Sequence, residues 1–280
     1  MAVDLHVHTT ASDGTLTPAQ AVEQGAAAGL TAIGITDHDS VAGIPEALEA
    51  GKRLGLDVIP GVEISCDWQG QEVHLLGYLM DPTHPELTAV LERIRNARWE
   101  RLEKMLARLR AAGVPLRRED VEEVAQGESL GRPHVAQALA NRGVVKTPQD
   151  AFEQFLRRGR PAYVDRYRHP AGKAVEVVLR ARGLPVLAHP GLMGHDGVIQ
   201  ELLRYGLGGI EAYHIDHSPR QTAHYRLMAE RLGLVVTGGS DSHGPQGPKP
   251  VTIGQVEVPD ECAERIRDWG RAHGRWPVSS

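Results

Sequence analysis

Thr31-Ala32-Ile33-Gly34-Ile35-Thr36-Asp37-His38 is an apolar run of strand length that breaks off at an acid and a histidine. The same form precedes it in Val3-Asp4-Leu5-His6-Val7-His8. Between the two lies a helical pattern that opens at Thr17-Pro18 and stops at Gly29. Proline suits the first helical position, where the N–H it lacks would have no intrahelical partner. A strand, a helix and a second such strand form a unit whose strands run parallel.

Further runs of strand length occupy residues 58–64, 73–79, 185–189, 208–213 and 234–237. Their alternation with helical patterns predicts an α/β fold, a distorted parallel barrel with crossover helices. From 84 to 166 the alternation stops and four helical stretches follow one another. The first, over about 85–112, carries Leu87, Val90, Leu91, Ile94, Leu102, Met105, Leu106 and Leu109 on one face and ends at Gly113. Pro133, Pro148, Gly127, Gly143 and Gly159 punctuate the rest. The expected organisation is a barrel domain from 1–83 and 167–280 with a helical insertion at 84–166, and residues 276–280 read as an ordinary tail.

With 280 residues, 41% of them hydrophobic, the chain can bury a sizeable core. Its net charge of -5 and pI near 6.3 argue against gathering nucleic acid through the whole-molecule field, so an anionic substrate needs a local positive site. Cys66 and Cys262 lack paired spacing, which argues against a disulfide framework or a thiolate zinc site. The first residues carry no basic leader, and no apolar run reaches the ~18 residues of a membrane span. A cytoplasmic protein without membrane association is expected, and nothing marks an obligate protein partner.

Histidine is the outlier, with 14 against two phenylalanines. His6 and His8, at i and i+2, point the same way from the end of the first strand. Asp37-His38 ends the second, Glu63 the third, His74 lies in the fourth, His189 ends the next, and Asp241 and His243 follow the last. In a parallel barrel these ends open on one face, where barrel enzymes keep their active sites. A lone His-x-His is more often a packed or surface pair than a metal site. A whole set of histidines and carboxylates at successive strand ends is different, because burying each unpaired costs roughly 2–7 kcal/mol. A metal cluster supplies the missing partners.

His6-x-His8, Asp13-Gly14, Thr36-Asp37-His38, Gly61-x-Glu63, His74, Ala188-His189-Pro190 and Ser240-Asp241-x-His243 resemble the PHP family, named for polymerase and histidinol phosphatase. The insertion, with Gly131-Arg132-Pro133-His134, is similar to the bacterial branch holding nucleoside 3′,5′-bisphosphate phosphatases and a 5′ to 3′ exoribonuclease. The resemblance implies a (β/α)7-type PHP barrel with the insertion as a lid over the metal face, and three divalent ions per chain. His6, His8, Glu63 and Asp241 would hold one ion; Glu63, His74 and His189 a second, bridged by Glu63; Asp13, His38 and His243 the third. Asp13 stands where other members place histidine, and this harder oxygen donor favours Mn2+ or Fe2+ over Zn2+ at that site. Asp37 would support its neighbour His38 instead of binding metal. A metal-activated hydroxide would attack phosphorus, making Glu63 and Asp13 catalytic through the ions they hold.

Three further sets have ordinary readings beside functional ones. Arg132 and His134 begin a helix and suit a second phosphate, though Pro133 marks a plain helix start equally well. Arg101, in a row with Arg98 and Lys104, either touches substrate or lies on a solvated face. His217 either protonates the leaving oxygen or binds phosphate, or else caps the helix beginning at Ser218-Pro219. The expected activity is hydrolysis of a phosphate monoester, a nucleoside 3′,5′-bisphosphate or a short oligonucleotide end. Its rivals are a histidinol-phosphate-type phosphatase and a non-catalytic PHP regulatory module.

Overall fold

The computed structural model describes residues 2–124, 131–247 and 250–276. Gly127 and the tail past Trp276 lie outside the described residues. Strands β1 (Ala2–Val7), β2 (Ala32–Ile35), β3 (Asp57–Trp68), β4 (Gln71–Tyr78), β5 (Leu184–Leu187), β6 (Gly209–His214), β7 (Val235–Gly239) and β8 (Val258–Pro259) form one sheet in the order β7-β6-β5-β4-β3-β2-β1-β8. The sheet curls until β7 meets β1. Just past the strand ends, Asp241 N–H donates to His6 O and His8 N–H to Ser242 O, each at 2.9 Å. Gly239 permits this seam, since a Cβ there would stand 2.4 Å from His6 Cβ. The result is the nearly closed α/β barrel that the alternation predicts.

One pairing departs from that prediction. β4 runs antiparallel to both β3 and β5, whereas β1–β2, β2–β3, β5–β6 and β6–β7 are parallel. The runs 58–64 and 73–79 are joined by a hairpin, because β3 continues to Trp68 and the chain reverses at Gln69 and Gly70, with φ of 51° and 89°. Two positive φ values suit a tight two-residue hairpin, and a parallel crossover needs about a dozen residues. β8 is a short antiparallel addition beside β1.

Helix Pro18–Ala27 shows how the sequence makes these elements. Thr17 Oγ1 accepts from Gln20 N–H at 3.2 Å while Gln20 Oε1 accepts from Thr17 N–H at 2.9 Å, and Gly29 turns the chain away at φ 74°. The helix buries Ala21 and Val22 in a cluster with Ile33, Ile35, Ala47 and Val58. Each large aliphatic so buried contributes about 1.5–3 kcal/mol. A second cluster joins Val3, Leu5, Ile59, Leu76, Tyr78 and Val186 to Ile266 of the last helix, Asp260–Ala272.

The chain divides into two compact units, residues 1–91 with 168–280, and residues 92–167. The boundary falls inside helix Pro85–Ala111. The second unit has its own core, in which Leu102, Met105, Leu106 and Leu109 meet Leu116, Val121, Val135, Leu139 and Leu156. Its other described helices are Arg118–Glu122, Arg132–Asn141 and Pro148–Ala151, the last continued by a π-helical turn at Phe152–Leu156. Among the described residues no helix is long and apolar enough to cross a membrane.

Candidate metal centre

Strands β1, β2, β5 and β7 stop short and leave polar residues at one end of the barrel, whereas Glu63 lies within β3, which runs on past the expected strand end, and His74 within β4. Asp39, His189 and Asp241, just past β2, β5 and β7, have φ of 52°, 28° and 56°. Non-glycine residues in the left-handed region cost about 1–3 kcal/mol each and persist where surrounding bonds over-determine them. Asp39 is held by Ser65, whose N–H and hydroxyl donate to its two oxygens at 2.8 and 2.9 Å. Asp241 is held by the seam to His6.

Glu63 is the centre of the cluster. Its Oε1 lies 2.9 Å from His74 Nδ1 and 3.2 Å from His189 Nε2. Its Oε2 lies 2.9 Å from His38 Nδ1, 3.3 Å from His8 Nε2 and 3.4 Å from His6 Nε2. Asp241 Oδ1 faces His8 Nε2 at 3.1 Å and His6 Nε2 at 3.5 Å, and Asp13 Oδ1 faces His243 Nε2 at 3.4 Å. Three groups offer donor atoms all within 4.8 Å of one another: His6, His8, Glu63 and Asp241; His38, Glu63 and His74; and His8, Asp13, His38 and His243. The structure thus brings together all nine residues that the resemblance implies as ligands. The first group matches the implied set; in the second His38 stands in place of His189, which lies against Glu63 but belongs to none of the three groups, and in the third His8 is added.

The donor set fits divalent cations. His6 Nε2 and His8 Nε2 stand 3.1 Å apart, and His8 Nδ1 and Glu63 Oε2 are buried atoms without a hydrogen bond of acceptable geometry. His243 donates from Nδ1 to Asp241 O at 2.9 Å, which leaves its Nε2 lone pair facing the pocket. Electrostatics agree. Burial opposes charge on His8, but the adjacent carboxylates of Asp241 and Glu63 raise the imidazole to about 10. Burial also opposes ionisation of Glu63, and His38, His74 and His6 overcome it and hold the carboxyl well below the usual range. His243, buried and repelled by His8, falls to about 4. Such a pocket calls for positive charge, which cations can supply in place of protons.

Around the donors lies a layer of orienting groups. Asp37 accepts from Thr9 N–H at 2.7 Å, Thr9 hydroxyl at 2.8 Å and Ser12 hydroxyl at 2.6 Å, so it holds the loop that leads to Asp13. Two residues with roles in this layer were missed by sequence reasoning. Glu211, fully buried in β6, accepts from His6 Nδ1–H at 2.9 Å. His214 places Nε2 at 3.4 Å from Asp241 Oδ2. The available signal for Glu211 was an acid inside the apolar run 208–213.

The remaining sequence-derived candidates are each engaged within their own unit. His217 donates from Nδ1 to Ala212 O at 2.8 Å and accepts Gly191 N–H on Nε2 at 3.0 Å, so both ring nitrogens brace a loop against β6. In the second unit, Arg132 opens its helix with its guanidinium carbon 5.9 Å from the Tyr163 ring and 6.0 Å from that of Phe152. His134 accepts Gly131 N–H on Nδ1 at 3.1 Å, a capping bond. Arg101 donates from Nε to Val164 O at 3.0 Å.

The PHP domain model matches residues 4–141. A 3′,5′-nucleoside bisphosphate phosphatase of Chromobacterium violaceum is 36% identical over 93% of this chain and 93% of its own length. A 5′-3′ exoribonuclease of Haemophilus influenzae is 34% identical over 87% of this chain and 90% of its own. A phosphoribosyl 1,2-cyclic phosphate 1,2-diphosphodiesterase of Eggerthella lenta is 37% identical over 89% and 97%. Among solved structures, a protein from Bifidobacterium adolescentis described as a metal-dependent phosphoesterase superposes with a TM-score of 0.82 at 33% identity, covering 95% of this chain and 96% of its own.

Proposed function

The chain belongs to the PHP family of metal-dependent phosphoesterases, and from that premise we propose that it removes a phosphate from nucleoside 3′,5′-bisphosphates or acts on short oligonucleotide ends. It is a phosphoric ester hydrolase. The observation that carries metal-dependent hydrolysis is the convergence of five histidines on the single carboxylate of Glu63, within 3.4 Å, and the likeness to the Chromobacterium and Haemophilus relatives supports the substrate class. The three donor groups support three divalent ions per chain. Asp13, an oxygen donor in a histidine-rich group, favours Mn2+ or Fe2+ there. Bound ions would lower the pKa of water to near 7 and neutralise phosphoryl oxygens.

The protein's own groups do the positioning. Glu63 joins two donor groups through its two oxygens, Asp241 turns one oxygen to His6 and His8, and Asp13 serves the group with His243. The carboxylates of Asp13, Glu63 and Asp241 return only three negative charges against six from three divalent ions, so the loaded pocket attracts phosphate. We extend the proposal to Arg132, His134 and Arg101 as groups that recognise the phosphate that is not cleaved, supported by the guanidinium of Arg132 at a helix start.

Steady-state hydrolysis of adenosine 3′,5′-bisphosphate, histidinol phosphate and a ribose 1,2-cyclic phosphate by manganese-loaded protein tests the reading. The bisphosphate is expected to show the highest kcat/KM. Preference for the cyclic ester would move the assignment toward the Eggerthella relative, and preference for histidinol phosphate would overturn it.

A further inference from the structure

We propose that Glu211 is a positioning residue that couples two parts of the metal centre, one oxygen selecting which nitrogen of His6 faces the ions and the other pinning the turn that carries His189. The inference rests on the reading of the cluster as a centre for divalent ions. Glu211 lies in β6 between Ile210 and Ala212 with no exposed surface. Neither of its oxygens belongs to any of the three donor groups. Its Oε1 accepts from His6 Nδ1–H at 2.9 Å, which leaves the lone pair on Nε2, the atom that faces Glu63 and Asp241. Its Oε2 accepts from the backbone N–H of His189 at 2.8 Å, where the chain is held at φ 28°.

Both partners are N–H donors, so the position demands two acceptors on one side-chain end. Only a carboxylate offers that; an amide would present an NH2 to one of them. The strand is shaped for the task. Pairing between β6 and β7 passes from Glu211–Thr237 to Tyr213–Gly238, so Ala212 is an extra residue, and this bulge brings His214 to the side of Glu211. The His214 ring centre is 6.3 Å from that of His6 and 5.2 Å from that of His189. His214 accepts Asp216 N–H on Nδ1 at 3.1 Å, so its Nε2–H faces Asp241 Oδ2. A strand that supplies no residue to the three donor groups thus orients three that do or adjoin them.

His6 serves the group with His8 and Asp241, whereas His189 lies against Glu63 and His74. Loss of Glu211 must therefore loosen two ions together. Calorimetric titration with Mn2+ of wild type, Glu211→Gln, Glu211→Ala and a core control on the neighbouring strand, Val186→Ala, tests this. The expected result is a roughly 10–100-fold weaker affinity for two of the ions in Glu211→Ala, a smaller loss in Glu211→Gln, which keeps one acceptor, and an unchanged isotherm in Val186→Ala despite a lower Tm. Wild-type affinity in Glu211→Ala, or an equal weakening in the control, overturns the proposal. Wild type that binds no Mn2+ overturns the metal centre itself. Imidazole 15N–1H spectra of wild type give an answer even if the variants do not fold: a proton on His6 Nδ1 supports the proposal, and a proton on Nε2 alone in metal-loaded protein overturns it.

Discussion

Glu63 Oε1 stands 2.9 Å from His74 Nδ1 although the hairpin register pairs His74 with Ser65 and Glu63 with Leu76. The two are diagonal neighbours on one face of β3 and β4, within reach because both side chains are long. The antiparallel reversal of β4 thereby delivers a ligand from mid-strand, where a parallel barrel would use a strand end.

Glu63→Gln is expected to lower kcat/KM by more than about 100-fold, beyond the usual cost of losing an orienting partner, and to lower metal content. Asp13→Asn should hurt less, since Asp13 serves one donor group and Glu63 serves two. Kinetics with elemental analysis of both variants check this, and a larger loss from Asp13→Asn at wild-type metal content would reverse the assignment.

Metal-repleted protein is expected to hold close to three ions per chain, and chelation should abolish activity and lower Tm. Stabilisation by ligands that bind only the folded state follows mass action. Saturation at one ion by elemental analysis would contradict the three-group reading.

Acid should weaken the helical unit through Asp120. Its hydrogen bond with Arg142, aided by Arg117 N–H, lowers the carboxyl from 3.8 to about 2. A carboxyl depressed on folding contributes its full stability above the unfolded value and loses it as pH falls from about 4 through 2. Asp120→Asn should therefore lower Tm by a few degrees at pH 7, and the difference should shrink between pH 4 and pH 2. Scanning calorimetry of both proteins across that window is the check; a constant difference would deny the ionic contribution.

Arg132→Ala is expected to depress kcat/KM for a 3′,5′-bisphosphate by tens-fold while leaving an aryl phosphate nearly unchanged, because a lost charge-assisted contact is worth roughly 1.5–3 kcal/mol. Arg132→Lys should recover only part, keeping charge without the fork. Equal slowing of both substrates would place Arg132 in folding or at the cleaved phosphate.

The sequence by itself determined the α/β alternation and the interrupting helices, since strand length and capping residues such as Thr17 and Gln20 are local signals, and it marked the histidines at strand ends, whereas Asp13 was implied only by the resemblance. It did not determine the direction of β4, because an apolar run reads the same in either sense and only the turn at Gln69-Gly70 reverses it. Nor did it expose Glu211, whose meaning lies in two partners 205 and 22 residues away. The tertiary structure alone decided which histidine nitrogen faces the pocket, because a tautomer is set by whatever the opposite nitrogen touches, and that contact exists only once β6, β5 and β1 have been curled into one barrel.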